Sequence, residues 1–220
     1  MPLILSTKIL TPTQRQYLLN AGLQVMEADF ISVKIIPFDL PEYPSDRLIF
    51  TSQNAVQSVL QHPENQNLKK IPVLCVGDKT AALLQQSGWH VAHTEPYAAD
   101  LGNYIAENCP QHRFLFFTGN LRSEQIPKIF RTNQIEYKEI QTYHTKLTPH
   151  RIETTPDAIL FYSPSGVESY LKINSLSSEQ LFCIGNVTAK AVSAYSSRVI
   201  TALHPTVENV IIRCIKHFQE

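Results

Sequence analysis

The residues with the clearest chemical potential in this 220-residue chain lie in six short polar segments, each of which follows an apolar run. These segments are rich in Ser, Thr, Asn and Gly, and they are STK (6–8), FTSQNA (50–55), VGDKTA (76–81), FTGNLR (117–122), YSPSG (162–166) and IGNVTA (184–189). Such residues commonly cap helix N-termini. A helix N-terminus also presents backbone N–H groups and the positive end of the helix dipole, which bind carboxylate or phosphate. The pattern therefore predicts helix caps and, in addition, an anion-binding function.

One further segment, TYHT (142–145), carries a candidate for proton transfer. Tyr143 is a neutral donor at pH 7 and could act as a weak general acid, and the alternative is an aromatic hinge residue that packs between domains. His90 and His93 have no third ligand nearby in the sequence, so no metal site is expected. The chain has no GxGxxG, GxxxxGK[ST] or GxSxG motif, which argues against the common dinucleotide, nucleotide and α/β-hydrolase sites.

Short apolar runs alternate with helix-like segments along the whole chain. The runs predict strands at 3–5, 23–25, 47–51, 71–76, 89–92, 113–117, 135–141, 158–162, 181–184 and 198–201. Thr11 is predicted to cap a helix that has Pro12 at its first position. Continuous apolar strands that alternate with helices are typical of parallel sheets covered on both faces. Five strands in each half predict a flavodoxin-like, doubly wound α/β fold, in which ligands bind beyond the carboxyl ends of the strands.

The chain contains an internal repeat of about 110 residues. IFTSQNAVQSVL (49–60) and LFYSPSGVESYL (160–171) share five of twelve residues, among them the pair Ser58 and Ser169. LCVGDKTAAL (74–83) and FCIGNVTAKA (182–191) share four of ten. These matches occur in the same order and at nearly the same offset, 111 and 108 residues. They predict a tandem duplication.

Two polar segments predict where the chain passes between domains. PFDLPEYPSD (37–46) has the composition of an extended linker, and TYHTKLTPHRIETTP (142–156) lies at the equivalent point of the second copy. The resulting division has a discontinuous domain 1 at 1–36 and 150–220, domain 2 at 46–142, and linkers at 37–45 and 143–149. Two sequential domains, 1–110 and 111–220, are the simpler alternative, although the linker positions favour the crossed arrangement.

Composition and charge exclude several classes of protein. Lys and Arg number 19 and Asp and Glu number 19, so the net charge is zero, and 43% of the residues are hydrophobic. Disordered chains combine low hydrophobicity with high net charge, and proteins that bind nucleic acid or membrane surfaces carry a basic excess. No apolar run approaches the roughly 20 residues of a membrane span. We expect Leu3–Leu5 to be a buried strand rather than part of a signal peptide. Four dispersed cysteines without a CxxC motif favour free thiols in a reducing cytoplasm.

The ordered set of motifs resembles the uroporphyrinogen-III synthase family over nearly the whole chain. The matching segments are LIFTSQNAV (48–56), CVGDKTAALL (75–84), LFFTGNLRSEQIPKIF (115–130), TYHT (142–145), FYSPSGVESY (161–170), CIGNVTAKAV (183–192) and HPTVENVI (204–211). The resemblance implies two flavodoxin-like domains joined by a two-stranded linker, with the crossed connectivity. It also implies that a cleft between the domains takes the substrate, without metal or organic cofactor.

The resemblance implies the cyclisation of linear hydroxymethylbilane. Loss of the bilane hydroxyl leaves an azafulvene, ring D attacks through its substituted carbon to give a spiro intermediate, and reclosure leaves ring D inverted. The implied role of the protein is to favour this path over spontaneous closure to the symmetric isomer, mainly by positioning. A non-catalytic two-domain ligand-binding paralogue is the alternative, and a periplasmic-type binding protein is disfavoured by the missing signal peptide.

The resemblance also implies roles for particular residues. Tyr143 matches the family's cleft tyrosine and is expected to assist departure of the hydroxyl. The residues expected to bind substrate are Lys8, Ser52, Thr80, Gly119, Asn120, Ser163, Ser165 and Thr188. Thr118 stands where many members have Arg, so any anion-binding role of that Arg is absent here. Lys8 stands where many bacterial members have the Arg of a Thr-Arg-Pro motif, and no Pro follows it.

The expected partner is the small molecule hydroxymethylbilane, with no nucleic acid and no membrane. We expect a cytoplasmic monomer that contacts hydroxymethylbilane synthase transiently. The substrate carries eight carboxylates, whereas the strand ends offer few basic residues, namely Lys8, Lys79 and Arg122. Backbone N–H groups and hydroxyls are therefore expected to hold it, which predicts a weak dependence of binding on salt.

Overall fold

The computed structural model describes residues 1–219 and divides the chain into two compact units. Unit 1 comprises Met1–Ser32 and the chain from Lys146 onward, and unit 2 comprises Val33–Thr145. The strands are β1 (Leu3–Ser6), β2 (Gln24–Glu27), β3 (Ile31–Ile35), β4 (Arg47–Phe50), β5 (Val73–Val76), β6 (Val91–Glu95), β7 (Phe114–Gly119), β8 (Tyr137–Leu147), β9 (Ala158–Phe161), β10 (Gln180–Cys183) and β11 (Val199–Thr201). The helices are α1 (Pro12–Asn20), α2 (Gln53–Leu60), α3 (Asn65–Leu68), α4 (Asp78–Gln86), α5 (Ala98–Asn108), α6 (Gln125–Thr132), α7 (Pro164–Leu171), α8 (Asn186–Ser193) and α9 (Val207–Gln219).

Unit 1 is a five-stranded parallel sheet in the order β11-β10-β9-β1-β2. Numbered along unit 1, this is the order 5-4-3-1-2 of a flavodoxin-like sheet. Ile4 and Leu160 pack with α1 and α9 on one face, whereas their chain neighbours Leu5 and Ile159 pack with α7 and α8 on the other. Because both faces are covered, the strands are continuously apolar, and the predicted parallel α/β class is confirmed.

Unit 2 contains a six-stranded sheet in the order β3-β8-β7-β4-β5-β6, in which the strands from β8 to β6 are parallel. Helices α2 and α4 contribute to the core cluster on one face, which contains Phe50 and Phe117. Helices α5 and α6 contribute to the cluster on the other face, which contains Ile49 and Phe116. The five parallel strands have the flavodoxin-like order, with the first two places taken by β7 and β8.

The structure differs from the sequence-based picture where the chain passes between the units. The passages fall within β3, between Ser32 and Val33, and within β8, between Thr145 and Lys146. Strand β3 was not predicted, because its three central residues are exposed and it has no continuous apolar run. The segment 37–46, predicted as a linker, lies in unit 2, where Phe38, Leu40 and Tyr43 pack against the core. Its apolar residues therefore make it part of unit 2 rather than a connection.

The predicted start of α1 is confirmed. Thr11 is the N-cap, Pro12 follows it, and Gln14 completes a reciprocal capping box with Thr11. Among residues 1–219, no helix is both long enough and apolar enough to cross a bilayer.

Candidate functional site

The predicted site residues lie at the carboxyl ends of the strands in both sheets. Parallel pairing brings these ends to one edge of each sheet. The edge in unit 1 carries Lys8 after β1, Ser163 and Ser165 after β9, and Thr188 after β10. The edge in unit 2 carries Ser52 after β4, Thr80 after β5, Gly119 and Asn120 at the end of β7, and Tyr143 on β8. Within each unit, the structure therefore places the predicted residues on a common edge.

Tyr143 is placed by a β-bulge between β7 and β8. The register pairs Thr118 with Gln141 and Gly119 with Tyr143, which leaves Thr142 without a partner in the ladder. A bulge re-aims the side chains beside it and is frequent next to functional sites. The Tyr143 ring lies over Gly119 and packs, half-buried, against the core cluster of α2 and α4. The bulge thus selects the direction in which Tyr143 points.

The hydroxyl of Tyr143 has no hydrogen-bond partner among residues 1–219, and it is not among the fully buried polar atoms. A tyrosine whose ring is packed and whose hydroxyl is accessible and unpaired can donate to a bound molecule without first breaking an internal hydrogen bond. This arrangement suits a weak general acid.

Asn120 uses its side chain within the protein. Its Oδ1 accepts from the backbone N–H of Thr145 at 2.6 Å, and its Nδ2 donates to the Thr145 carbonyl oxygen at 3.1 Å. Both ends of the amide are therefore engaged by β8, two residues beyond Tyr143. This position was predicted to bind substrate, and in the structure its amide is hydrogen-bonded to the strand that carries the tyrosine.

Two of the predicted serines are helix N-caps. Ser52 Oγ accepts from the N–H of Asn54 at 3.1 Å, and Ser163 Oγ accepts from the N–H of Gly166 at 3.0 Å and lies 3.0 Å from Ser165 Oγ. A hydroxyl that accepts from a helix N–H still has a proton to donate. The capping function is therefore confirmed, and it leaves these serines able to donate to a ligand.

The two Gly-x-x-Thr-Ala turns differ from the serine turns. Gly77 and Gly185 are the N-caps of α4 and α8, and neither helix has a side-chain cap. The side chains of Thr80 and Thr188 are only 5% and 3% exposed, so the accessible groups of these turns belong mainly to the backbone. Helix α4 has Asp78 in its first turn, whereas α8 has no acidic residue there.

The N-terminus of α8 is the better anion site of the two. The N–H groups of Asn186, Val187 and Thr188 make no hydrogen bond within residues 1–219, and the first two residues are exposed. Unpaired N–H groups at the positive end of a helix dipole attract carboxylates. At α4, the carboxylate of Asp78 opposes that attraction.

Arg122 and Lys8, two cations at these edges, have different kinds of partner. Arg122 pairs with Glu139 through two hydrogen bonds and also pairs with Glu124. Lys8 lies over the ring of Tyr162, with Nζ 5.9 Å from the centroid. Burial raises the pKa of Tyr162 above the ordinary value of a phenol, so this ring remains uncharged well into the alkaline range.

The loop after β1 has its own internal acceptors. The Ile9 N–H donates to Asp29 Oδ1 at 2.9 Å, and the Leu10 N–H donates to Glu27 Oε2 at 3.1 Å. Glu27 is also held by Arg15, a contact that lowers the pKa of this carboxyl. These N–H groups are therefore already engaged, unlike those of α8.

Exposed apolar side chains at the edge of unit 1 were not predicted from the sequence. Ile9, Val187 and Leu203 follow β1, β10 and β11 and are 55%, 57% and 74% exposed. An apolar residue inside an otherwise polar turn, as in IGNVTA, is the signal that could have identified Val187. This edge therefore offers both anion-binding N–H groups and apolar surface, which suits a ligand that has both characters.

His93 is engaged by neighbouring side chains. His93 Nε2 lies 2.7 Å from Glu95 Oε1, and its ring stacks on Tyr104 at 3.5 Å between centroids. Within residues 1–219, no cluster of three or more His, Cys, Asp or Glu side chains has the arrangement of a metal centre.

Comparison with known proteins gives concordant matches. The family model described as uroporphyrinogen-III synthase HemD matches residues 13–212. A curated relative, the porphyrin biosynthesis protein HemD of Ruminiclostridium josui, is 25% identical over 189 residues, which cover 77% of this chain and 37% of that protein. The chain therefore spans well under half the length of this curated relative.

Solved structures share the fold over the full length of the chain. A uroporphyrinogen-III synthetase from Helicobacter pylori is 21% identical, with a TM-score of 0.73 and coverage of 99% of this chain and 100% of that one. A mutant uroporphyrinogen III synthase from the extremely thermophilic bacterium Thermus thermophilus is 14% identical, with a TM-score of 0.73 and coverage of 100% and 99%.

Proposed function

The chain belongs to the uroporphyrinogen-III synthase family, and we propose that it cyclises hydroxymethylbilane to uroporphyrinogen III with loss of water and inversion of ring D. The observation that carries this proposal is the unpaired hydroxyl of Tyr143, on a ring held by Gly119 and the core of unit 2. We also propose that the two compact units are the two domains implied by the resemblance.

Tyr143 acts at the first step. The pyrrole nitrogen supplies electrons as the bond between the bilane carbon and its hydroxyl breaks. The Tyr143 hydroxyl donates a hydrogen bond to the departing oxygen and stabilises its developing negative charge, as suits a weak acid. The proton from the pyrrole N–H ends on that oxygen, so water leaves and a neutral azafulvene remains.

The later steps depend on positioning. Ring D attacks the azafulvene carbon through its substituted position, and the ring D N–H proton passes to the azafulvene nitrogen. The spiro intermediate then breaks the bond between that ring D carbon and its original bridging carbon, which becomes a second azafulvene. The macrocycle closes again through the other, unsubstituted carbon of ring D, whose hydrogen leaves as a proton while the second azafulvene nitrogen takes one up, and ring D is inverted. Holding the bilane in a folded shape brings the reacting carbons together and disfavours direct closure to the symmetric isomer.

The backbone and hydroxyl groups at the strand ends hold the substrate. The three unpaired N–H groups of α8 take a carboxylate, Ser52, Ser163 and Ser165 donate through their hydroxyls, and the exposed side chain of Val187 contacts a pyrrole face. Lys8 contributes a positive charge at the end of β1. Thr80 and Thr188 act mainly by shaping their turns, because their side chains are nearly fully buried.

The duplication is supported by equivalent hydrogen bonds in the two units. The Ile36 N–H donates to the Thr142 carbonyl oxygen in unit 2, and the Thr148 N–H donates to the Phe30 carbonyl oxygen in unit 1. The two donors, Ile36 and Thr148, are 112 residues apart, and so are the two acceptors, Phe30 and Thr142. In each hydrogen bond the donor therefore comes from one copy of the repeat and the acceptor from the other. We propose that the two units arose from one ancestral domain by duplication.

We further propose that the protein is a cytoplasmic monomer that meets hydroxymethylbilane synthase transiently. All four cysteines are free, and Cys75, Cys183 and Cys214 are buried, as suits a reducing compartment. Burial raises the pKa of Cys183 and of Cys214 to about 12, so both thiols stay protonated and unreactive.

Isomer analysis tests the proposed function. The protein is incubated with freshly made hydroxymethylbilane, the products are oxidised to porphyrins, and the type I and type III isomers are separated. We expect type III to predominate, whereas the reaction without protein gives type I. Type I alone in the presence of folded protein would rule the synthase function out, and tight binding without conversion would identify a ligand-binding paralogue.

A further inference from the structure

We propose that Ser58 and Asn120 are positioning residues that hold the β-bulge under Tyr143 and thereby aim its hydroxyl, an inference that rests on the proposed function. Neither residue belongs to the reacting groups. Each instead binds the backbone of β8 close to Tyr143, one on the preceding residue and the other two residues beyond.

Ser58 holds the residue that precedes the tyrosine. Its Oγ donates to the Thr142 carbonyl oxygen at 2.7 Å, and the Ile36 N–H donates to the same oxygen at 3.1 Å. Ser58 is 2% exposed and Thr142 is fully buried. Thr142 is also the extra residue of the bulge, so it has no partner of its own across the ladder to β7. A buried backbone carbonyl needs a donor, and Ser58 on α2 supplies one.

Asn120 holds the other side. Its amide makes two hydrogen bonds with the backbone of Thr145, one as donor and one as acceptor, and Thr145 is only 9% exposed. Thr142 Oγ1 adds a bond to the Thr118 carbonyl oxygen at 3.3 Å. Because a shift of one residue turns a strand side chain to the opposite face, these anchors decide which way Tyr143 points.

The equivalent place in unit 1 gives a natural comparison. Ser169 occupies the position of Ser58 in the internal repeat, is fully buried, and its Oγ has no hydrogen-bond partner among residues 1–219. The carbonyl of Phe30, which corresponds to Thr142, accepts from Thr148, and the residue that corresponds to Tyr143 is Ile31. The hydrogen bond from the serine to the strand backbone is therefore present in unit 2, which carries Tyr143. The equivalent bond from Ser169 is absent among residues 1–219 in unit 1, where Ile31 takes the place of the tyrosine.

The test compares Ser58→Ala and Asn120→Ala with Ser169→Ala as the matched control. Each protein is labelled with 3-fluorotyrosine, and the ¹⁹F signal of Tyr143 is assigned by its loss in Tyr143→Phe. We expect the signal to shift or broaden in Ser58→Ala and Asn120→Ala and to stay unchanged in Ser169→Ala. We also expect kcat for the type III isomer to fall roughly five- to twentyfold in the first two variants, with KM within about twofold.

Two further variants separate positioning from a general loss of structure. Ser58→Cys keeps the size and a weak donor, so we expect it to restore part of kcat. In a Tyr143→Phe background, Ser58→Ala is expected to lower kcat less than about twofold, because the group that it aims is gone. An unchanged Tyr143 signal in Ser58→Ala, or an equal loss of kcat in both backgrounds, would overturn the inference. The ¹⁹F arm needs no turnover, so it decides the positioning role even where isomer analysis rejects the synthase function.

Discussion

Gly119 and Tyr143 face each other across β7 and β8 so closely that no side chain fits at position 119. A Cβ built on Gly119 would lie 2.9 Å from Tyr143 Cδ2 and closer still to two other ring carbons. The backbone of Gly119 is not in the left-handed region, so the requirement for glycine comes from the ring and not from the conformation. Gly119, which was predicted to bind substrate, thus provides the space that the Tyr143 ring occupies.

The variant Gly119→Ala should displace the Tyr143 ring. We expect a loss of unfolding free energy of about 1–3 kcal/mol, typical of an overpacked contact, together with a lower kcat. Urea denaturation measures the first and isomer analysis the second. In a Tyr143→Ala background the same change should cost less than about 0.5 kcal/mol, since the ring is absent. An equal cost in both backgrounds would show that the ring is not what excludes a side chain at position 119.

The variant Tyr143→Phe should lower kcat for uroporphyrinogen III by about 10²-fold and leave measurable activity, because positioning supplies the remaining rate. Its stability should match that of the wild type, since the hydroxyl makes no hydrogen bond within residues 1–219. Tyr137→Phe, on the same strand, is the control and should retain the wild-type rate. Wild-type turnover in Tyr143→Phe would remove this residue from the mechanism.

The variant Asn186→Pro removes one of the unpaired N–H groups of α8 and keeps the helix. Proline is tolerated at the first helical position, as Pro164 shows in α7, and Gly185 already has the extended backbone that precedes proline easily. We expect KM to rise by about three- to tenfold while the melting temperature changes little. Steady-state kinetics and thermal denaturation measure the two effects. An unchanged KM would show that this N–H group does not hold the substrate.

Salt should have a small effect on substrate binding. Arg122, a cation at the edge of unit 2, is paired with Glu139 and Glu124, and the proposed anion site is built from backbone groups. Between about 0.05 and 0.5 M NaCl we expect KM to change less than about threefold, because short-range hydrogen bonds are screened less than separated charges. A tenfold rise in KM would indicate that unpaired lysine or arginine side chains hold the carboxylates.

Tyr170 should make the protein less stable at high pH. Its side chain is 2% exposed, and burial, aided by the charge of Glu179, raises its pKa to about 12. The folded state keeps the phenol protonated up to a higher pH than the unfolded state does. The contribution of this group to the free energy of unfolding is therefore fully present below pH 10 and is lost as the pH rises from 10 to 12. Between about pH 9 and pH 11 the wild type should lose about 1.4 kcal/mol more than Tyr170→Phe in urea denaturation. Equal losses would contradict the assignment.

The sheets and the strand-end turns could be predicted because their causes are local. Buried parallel strands must be apolar on both faces, and the turns after them must cap a helix, so Phe161, Ser163 and Gly166 reveal a strand, a cap and a helix within a few residues. Strand β3 could not be predicted in this way. Its central residues Ser32, Val33 and Lys34 are exposed, and its strand conformation depends on the neighbouring β8 in the sheet.

The candidate site residues were predicted as a set, whereas their arrangement could not be predicted from the sequence. The motif around Tyr143 pointed to the tyrosine as a candidate. The bulge at Thr142 comes from a shift in the register between β7 and β8, and the serine that binds it, Ser58, lies far away in the sequence. Asn120 was predicted from its match to a loop of the family, but its partner Thr145 depends on how far β8 extends past the end of β7. Contacts of this kind depend on tertiary geometry, which residue types alone do not encode.

The crossed chain path also sets the order in which the parts become available during synthesis. Strand β1, an interior strand of the unit 1 sheet, pairs with β9, so Ile4 can meet Ala158 only after the whole of unit 2 has been made. Every strand from β4 to β8 leaves the ribosome before β9 does. All the strands of unit 2 are therefore synthesised before the sheet of unit 1 can be completed. Until β9 has been made, β1 has only β2 as a neighbouring strand. We therefore expect unit 2, including the strand that carries Tyr143, to be able to fold on the ribosome before helix α8 has been translated.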